Sequence, residues 1–329
     1  MKRRMSVCAL AMGLSAVLMG AQTARAAFPE RPIRVIVPFP AGGSADAGAR
    51  TILHTFGGKI GGTIVIENRP GAGGNIGASA VARAAPDGHT LLFTSNSIAA
   101  TAAGNSKDVP FDLRKDFVPI SRAVSNQYTL LLNSEKLPMQ SFPELLAYMR
   151  ANPGKLDIAS PGPMTSGHFA LEELKIASGA NFNIIQYQGN APANAAVMAG
   201  EPAVGIDGAL TAKAAIATGR VRALAVTGPR RSPFLPNVPT IAESGVPKFE
   251  AGWSLVLLGP AGLSQPLVDQ IYAALTQSLK DPATVKRLEE LGFDVVGSNP
   301  KDYAASLEVE IRKSAKILEQ MRASGSLLK

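Results

Sequence analysis

From Ile33 onward, the chain alternates short β-branched runs with segments of small residues that are long enough to form helices. Alternation of this kind favours an α/β fold, in which strand–turn–helix units build parallel sheets. The predicted strands are 33–39, 63–68, 90–95, 129–133, 156–160, 182–187, 202–207 and 221–227. Ligands of such sheets collect at the carboxyl ends of the strands, so the turns after these runs are the candidate binding surfaces.

The N-terminus is typical of a cleaved secretory signal. Basic residues at positions 2–4 precede an apolar run, and the small residues that flank Arg25 predict cleavage before Ala27. The apolar run is shorter than the roughly 20 residues that a membrane-spanning helix needs. We therefore predict that residues 1–26 are removed and that the mature chain is exported.

The composition excludes several classes of function. Cys8 is the only cysteine and lies in the signal, so the mature chain has no disulfide, cysteine metal site or thiol nucleophile. The net charge of +8 falls to about +4 on cleavage, because four basic residues belong to the signal. The remaining charges are scattered and aromatic residues make up only 5%, which argues against nucleic-acid binding. We predict no cofactor, no bound metal and no nucleic-acid partner.

Two irregular segments interrupt the alternation of strands and helices. The segment 108–124 carries two prolines and mixed charges, and the proline-rich segment 228–253 leads into an apolar run at 254–262. We interpret these segments as two crossings between two domains, with the C-terminal helices reaching over domain 2. The predicted bounds are 27–123 with 251–329 for domain 1 and 124–250 for domain 2.

Four turns between predicted strands and helices share glycine and small polar residues. These corners are 38–46, 68–77, 160–168 and 186–194. The first turn of a helix has unpaired N–H groups and a partial positive charge, so a glycine-lined approach lets a carboxylate or phosphate reach the backbone. A tight turn alone also needs glycine, but the repetition favours an anion site. Asp46 either orients the first corner or binds a ligand ammonium or amide.

Known signatures of nucleotide binding and catalysis are missing. The sequence GAGGNIG at 71–77 departs from the dinucleotide fingerprint at its last glycine, and no G-K-[ST] phosphate loop occurs. His54 and His89 are expected to be structural, whereas His168 lies beside a corner and is a candidate ligand residue. A hydrolase that uses Ser44 or Ser166 with His168 is the alternative that this pattern leaves open.

Four blocks carry a family resemblance. They are PFPAGGSADAGAR at 38–50, VIENRPGAGGNIGASAVARAAPDGHTLL at 65–92, PFDLRKDFVPIS at 110–121 and LAVTGPRRSPFLPNVPTIAESG at 224–245. They resemble the solute-binding proteins of tripartite tricarboxylate transporters, also called the Bug family. The resemblance covers nearly the whole mature chain, and the ENRPGAGG…PDGHTLL block is its most specific part.

The resemblance implies a two-domain periplasmic binding protein, a type II-like "Venus flytrap" with two interdomain crossings and a ligand cleft. It implies a monomeric receptor without enzyme activity, a small carboxylate as ligand, and the large and small membrane subunits of a transporter as partners. The alternative is the same receptor serving as ligand sensor of a two-component system.

The resemblance also implies which residues bind the ligand, since family members hold a carboxylate with backbone groups and ordered waters. Domain 1 would contribute Phe39, Ala41, Gly42, Gly43, Ser44, Asp46, Ser95, Asn96 and Ser97. Domain 2 would contribute Gly162, Thr165, Ser166, His168, Tyr187, Gly189, Asn190 and Asp207. Two positions depart from the family pattern and bear on specificity: Met164 replaces a glycine, and Gln186 replaces the proline before the tyrosine.

Overall fold

The computed structural model describes residues 28–104, 109–323 and 325, so the predicted signal lies outside the described residues. The strands are β1 (Ile33–Val37), β2 (Ile64–Asn68), β3 (Thr90–Ser95), β4 (Phe117–Asn133), β5 (Asp157–Ser160), β6 (Asn183–Gln186), β7 (Val204–Gly208), β8 (Val221–Val226), β9 (Gly252–Pro260) and β10 (Asp294–Val295). The helices are α1 (Ser44–Ile60), α2 (Asn75–Ala82), α3 (Ile98–Ala103), α4 (Phe142–Ala151), α5 (Ser166–Ser178), α6 (Asn190–Ala199), α7 (Ala209–Ala217), α8 (Gln265–Leu279), α9 (Pro282–Glu290) and α10 (Pro300–Ala323). None of the described helices is both long and apolar enough to span a bilayer.

The strands form a sheet in the order β2-β1-β3-β9-β4-β7-β5-β6, with β8 and β10 paired to β4 outside this path. We call the half with β1, β2, β3, β9 and β10 the first lobe, and the half with β5 to β8 the second lobe. Each lobe combines parallel strands with antiparallel ones, and β4 belongs to both. The predicted α/β fold is confirmed.

The pairing directions show which way the binding corners face. In the first lobe, β4 runs in the same direction as β1 and β3, because β9 is antiparallel to both β3 and β4. In the second lobe, β7 is antiparallel to β4 and parallel to β5, which is parallel to β6. The carboxyl ends of the parallel strands in both lobes therefore point towards the boundary where β4 passes from one lobe to the other.

The long strand β4 corrects the interpretation of the first crossing as an irregular segment. Residues 117–127 pair with β9, and residues 128–133 lie between β7 and β8. Pro119 cannot donate to a ladder, and the β4–β9 register shifts beside it, as expected where a proline is accommodated in a strand. The second half of the predicted crossing is thus a strand, and the apolar run after the second crossing forms most of β9, which was not among the predicted strands.

Helices cover both faces of each half-sheet, and successive strand residues alternate between the two cores. In the first lobe, Val35 packs with α1 and α8, whereas Ile36 packs with α2, α3 and α10. In the second lobe, Leu130 packs with α4 and α5, whereas Leu131 packs with α6 and α7. This layering leaves the carboxyl ends of the strands, and the first turns of the helices that follow them, as the uncovered edge of each lobe.

Helix α10 contacts both lobes. Its first half buries Tyr303 and Leu307 in the first-lobe core. Its second half packs Ile317 against Phe169 of α5, and Lys313 forms an ion pair with Glu173 of α5 at 2.6 Å. The C-terminal helix therefore contacts elements of both lobes.

Gly252 provides a test of the crossing strands. A Cβ at this position would lie 2.6 Å from the backbone oxygen of Asn126, at the point where β9 pairs with β4 between the lobes. We expect Gly252→Ala to lower the free energy of unfolding by about 1–3 kcal/mol, because backbone cannot move as easily as a side chain. Urea denaturation measures the loss.

Gly58 supplies the matched control, because a Cβ there meets no atom within 4 Å and the residue lies inside α1. Gly58→Ala is expected to raise the free energy of unfolding by about 0.5–1 kcal/mol, since alanine favours the helix. If Gly252→Ala and wild type had equal free energies of unfolding, β4 and β9 would be able to move apart at this position without a loss of stability.

Candidate functional site

The first corner joins β1 to α1 and is exposed from Pro40 to Ser44. Gly42 adopts φ +84°, a left-handed conformation that glycine accepts at little cost. The N–H of Ala47 donates to the oxygen of Gly43, which is the N-cap of α1. The N–H groups before Ala47 in the helix consequently have no acceptor within it and form a donor set at an exposed, glycine-lined turn.

Asp46 holds this corner in place. Its Oδ2 accepts from the N–H of Gly42 at 2.9 Å and from Nε of Arg50 at 2.8 Å, and its Oδ1 accepts from Nδ2 of Asn68 at 2.8 Å. Burial acts to raise the pKa of Asp46, but these hydrogen bonds from Arg50, Gly42 and Asn68 outweigh it and leave the pKa lowered. Both carboxylate oxygens are engaged by groups of the protein itself, which is the geometry expected for the first of the two predicted roles, orientation of the corner.

Arg50 and Asn68 are positioning residues that the sequence prediction missed. Asn68 also donates to the backbone oxygen of Phe39 at 3.1 Å, and so ties the end of β2 to the first corner. Arg50 follows Asp46 by one helical turn, a spacing at which side chains meet. Asn68 ends the strand beside β1, opposite Val37, so its position follows from the parallel register.

The residues after β3 are held by internal hydrogen bonds. Asn96 exchanges bonds with Ser254 of β9: its N–H donates to the Ser254 oxygen at 3.0 Å, and its Oδ1 accepts the Ser254 N–H at 3.0 Å. The N–H of Ser97 donates to Oγ of Ser95 at 3.2 Å. The backbone donors of Asn96 and Ser97 are thus already used, and these residues offer a ligand their side chains only.

The corner between β5 and α5 has a closely specified backbone. Gly162 adopts φ +137°, and a Cβ there would lie 2.9 Å from the oxygen of Tyr187. Thr165 is the N-cap of α5: its Oγ1 accepts the N–H of His168 at 3.2 Å and donates to the oxygen of Gly162 at 2.7 Å. The N–H groups of Ser166 and the residue after it remain as the donors of this first turn.

His168 supports the same corner from inside the second lobe. The side chain is buried, and its Nδ1 accepts the N–H of Met164 at 3.2 Å. Its Nε2 lies 3.8 Å from Oε1 of Glu172. Burial acts to raise the pKa of Glu172, whereas the hydrogen bond with His168 and the charge of Lys175 lower it, with a net lowering. Both ring nitrogens therefore face neighbours on their own corner and helix. Among the described residues, no hydrogen bond joins His168 to Ser44 or Ser166, the two serines of the hydrolase alternative.

The predicted residues after β6 divide into exposed and structural ones. Gly189 is the N-cap of α6 with φ +115°, its N–H donates to the oxygen of Pro161 at 2.8 Å, and Asn190 after it is exposed. The hydroxyl of Tyr187 donates to the oxygen of Glu201 at 3.1 Å, beyond the far end of α6. Tyr187 thus anchors α6, and the N–H of Asn190 is the donor that this corner presents.

Asp207, at the end of β7, is fully buried. Its Oδ1 accepts the N–H of Gly208 at 2.8 Å, and its Oδ2 accepts from Asn194 of α6. Burial raises the pKa of Asp207, and hydrogen bonds from Thr211, Asn194 and Gly208 offset part of that effect. This carboxyl group joins α6 to the start of α7 and so fixes the second-lobe wall.

The glycine-rich segment after β2 packs against the first corner. Cβ atoms at Gly74 and Gly77 would lie 3.5 Å and 2.8 Å from Cβ of Pro38. Gly73 adopts φ +66° within the turn that precedes α2. These glycines therefore allow close packing and a left-handed turn, which accounts for this corner without a ligand.

A cavity of about 670 Å³ lies on the boundary between the lobes, a size typical of small-molecule sites. Its wall includes the start of α3, the first half of α5, the crossing residues of β4 and β9, and the second half of α10. Of the predicted ligand residues, Asn96, Ser97 and Ser166 line it; the other predicted residues are outside its lining. Charged side chains that the sequence prediction missed also line it: Arg122, Glu173, Arg230, Lys248, Glu250, Asp294, Glu310 and Lys313.

Among the residues that the structure describes, no group of three or more histidine, cysteine, aspartate or glutamate side chains is arranged to hold a metal. The candidate site consists of hydrogen-bond donors at the helix starts, paired charges and a cavity. Exposed helix starts on both lobes can neutralise an anion, and the cavity behind Asn96 and Ser166 can take an attached group.

Comparison with known proteins relates the whole chain to receptors of a transporter family. The sequence matches the family described as "Tripartite tricarboxylate transporter family receptor" over residues 49–322. Protein BugT of Bordetella pertussis is 34% identical over 304 residues, which cover 92% of this chain and 92% of BugT.

Two similar proteins from Rhodopseudomonas palustris have solved structures that contain a ligand. MatC with bound malate has a TM-score of 0.73 and 30% identity, covering 88% of this chain and 99% of MatC. Rpa4515 with adipate has a TM-score of 0.75 and 30% identity, covering 89% of this chain and 97% of Rpa4515. Each match spans most of both chains, so the similarity extends to both lobes.

Proposed function

Since the chain belongs to the tripartite tricarboxylate transporter receptor family and is a solute-binding receptor, we propose that it captures a small carboxylate in the periplasm and delivers it to large and small membrane subunits. The observation that carries the proposal is the set of helix starts at the lobe boundary whose first-turn N–H groups have no acceptor within the helix. Gly43 opens α1 on the first lobe, while Thr165 and Gly189 open α5 and α6 on the second.

Backbone donors suit this task because a carboxylate that leaves water must recover its hydrogen bonds. N–H groups bonded to a carboxylate are charge-assisted, and the helix dipole adds a favourable field at the first turn. The similarity to proteins solved with malate and adipate supports a carboxylate as the ligand class. A ligand held from both lobes would stabilise the closed arrangement over the open one, which is how such a receptor signals that it is loaded.

Thermal unfolding tests the proposal. The mature protein, refolded to remove any co-purified ligand, is heated with mono-, di- and tricarboxylates, aromatic acids and amino acids. A ligand at 100 times its dissociation constant adds about 2.7 kcal/mol of stability, which we expect to raise the Tm by about 5 °C or more. The uncharged methyl esters are the matched controls and are expected to leave the Tm unchanged. Absence of a shift with every acid would contradict carboxylate capture.

A further inference from the structure

The charges that line the cavity between the lobes bear on the identity of the ligand. Lys313 of α10 contacts Oε1 of Glu173 at 2.6 Å and donates to the backbone oxygen of Glu250 at 2.9 Å. Arg122 of β4 pairs with Glu310 of α10. Lys313 and Arg122 are therefore each paired with a carboxylate of the protein itself.

The outer part of the cavity adds little positive field. Arg230 pairs with Asp294 at 3.2 Å, and the Arg230 side chain is 73% exposed. Lys248 is also exposed, as is the acidic Glu250 two residues further along the chain. Exposed pairs contribute little net attraction because water and salt screen them. The lining thus has four cationic and four anionic side chains, and three of the cations, Arg122, Arg230 and Lys313, are paired with carboxylates of the lining.

On the first-lobe side, the backbone of Asn96 and Ser97 offers the cavity no free donor. Their N–H groups are bonded to Ser254 and Ser95, and the N–H groups of Ala99 and Ala100 donate back to the oxygens of Asn96 and Ser97. On the second-lobe side, Ser166 keeps a first-turn N–H without an acceptor in the helix, where the cavity meets the corner before α5.

Among the described residues of the lining, two buried acceptors and one buried donor lack a hydrogen-bond partner. The acceptors are Oδ1 of Asn126, a residue that is 7% exposed, and Oε2 of Glu310; the donor is Nε of Arg122. Burial raises the pKa of both Glu173 and Glu310, although Lys313 and Arg122 oppose the effect. A second anion beside these carboxyl groups would lose its hydration and raise the local repulsion.

We infer that the cavity receives the end of the ligand remote from its bound carboxylate, and that this end is a hydrogen-bond donor, an amide NH₂ or an ammonium group, rather than a second carboxylate. The inference rests on the proposed function, because it assumes that the corners hold the first carboxylate. Asn96, Ser97 and Ser166 belong both to the predicted ligand residues and to the cavity lining, which supports this placement. The preferred ligand class is therefore a monocarboxylate with a polar donor at its far end.

Calorimetric titration with matched acids tests the inference. The probes are adipate, its monoamide adipamate and 6-aminohexanoate, together with succinate and succinamate as a shorter pair. We expect an amide or ammonium member to bind at least about tenfold more tightly than the dicarboxylate of the same length. Trp253, the only tryptophan of the chain, lines the cavity and reports occupancy by fluorescence.

Glu173→Gln tests the cause of the preference. The substitution removes the carboxylate that occupies Lys313, so it should free a cation and narrow the preference for the donor ligand by about tenfold. Glu308→Gln is the matched control, because Glu308 lies on α10, the helix that also carries Lys313. Glu308 pairs with Arg114 at 2.9 Å on the exposed surface, outside the cavity lining. The control should keep the wild-type preference, and thermal unfolding confirms that both variants fold.

The possible results separate the two proposals. Equal or tighter binding of the dicarboxylates by the wild type overturns the donor inference and leaves carboxylate capture intact. Unchanged preference in Glu173→Gln overturns the assigned role of the Lys313 pair. Failure of every acid in the panel to bind contradicts the proposed function itself.

Discussion

Gly43→Val is expected to abolish ligand binding while the protein remains folded. Gly43 has φ −75° and ψ 166°, an extended conformation that valine favours, and a Cβ there would lie 3.6 Å from the oxygen of Pro40, an ordinary contact. The side chain would stand over the exposed first turn of α1 and block two or more charge-assisted hydrogen bonds. At about 1.5–3 kcal/mol for each bond, we expect the dissociation constant to rise at least about 100-fold.

Ser141→Val controls for the helix-cap effect of this substitution. Ser141 caps α4, and its side chain accepts the N–H of Glu144, at the end of the second lobe away from the boundary. Each variant should lose about 1 kcal/mol of stability through a poorer N-cap, but only Gly43→Val should lose the ligand. Calorimetry measures the affinity of each variant for the ligand, and circular dichroism shows whether each variant is folded. Retained affinity in folded Gly43→Val would contradict recognition by the first-corner backbone.

Local patterns in the sequence were enough to predict most of the fold. The runs that became β1 and β3 are β-branched or apolar, and glycine or a small polar residue follows each of them, so strand, turn and helix start are encoded within a few residues. The first half of β4 was missed because Pro119 and its charged neighbours resemble a loop. Its strand character comes from pairing with β9, a partner distant in the sequence.

The candidate site likewise has parts that local sequence patterns predict and parts that depend on contacts between distant residues. The corners at Gly43 and Gly162 could be predicted, because a helix start that follows a strand and a glycine is a local feature of the sequence. The cavity could not, since Arg122, Glu173 and Lys313 come from three separate elements that only the tertiary fold brings together. Sequence patterns also could not separate ligand contact from support, and this distinction is the point of the second large prediction.

Asp46→Ala is expected to lower the free energy of unfolding by about 3 kcal/mol at pH 7. The substitution removes the acceptor of three hydrogen bonds from Gly42, Arg50 and Asn68, and bonds to a charged group contribute about 1.5–3 kcal/mol each. The expected loss is smaller than the sum of the three bonds, because the Arg50 side chain is 48% exposed and can form hydrogen bonds with water when Asp46 is absent. Urea denaturation measures the loss, and Asp269→Ala, at an exposed position in α8, should change stability by less than about 0.5 kcal/mol.

The pH dependence of the Asp46→Ala effect gives a second, independent readout. The pKa of Asp46 is lowered from 3.8 in the folded protein, so the folded state binds this proton less readily than the unfolded state does. The stabilisation by Asp46 is therefore complete above the unfolded pKa and is lost as the pH falls through the lower folded pKa. Wild type and Asp46→Ala should converge in stability below that pH, whereas Asp269→Ala should track wild type throughout. A stability gap that stays constant from pH 7 into the acid range would mean that packing at this position, rather than the carboxylate and its donors, holds the first corner in place.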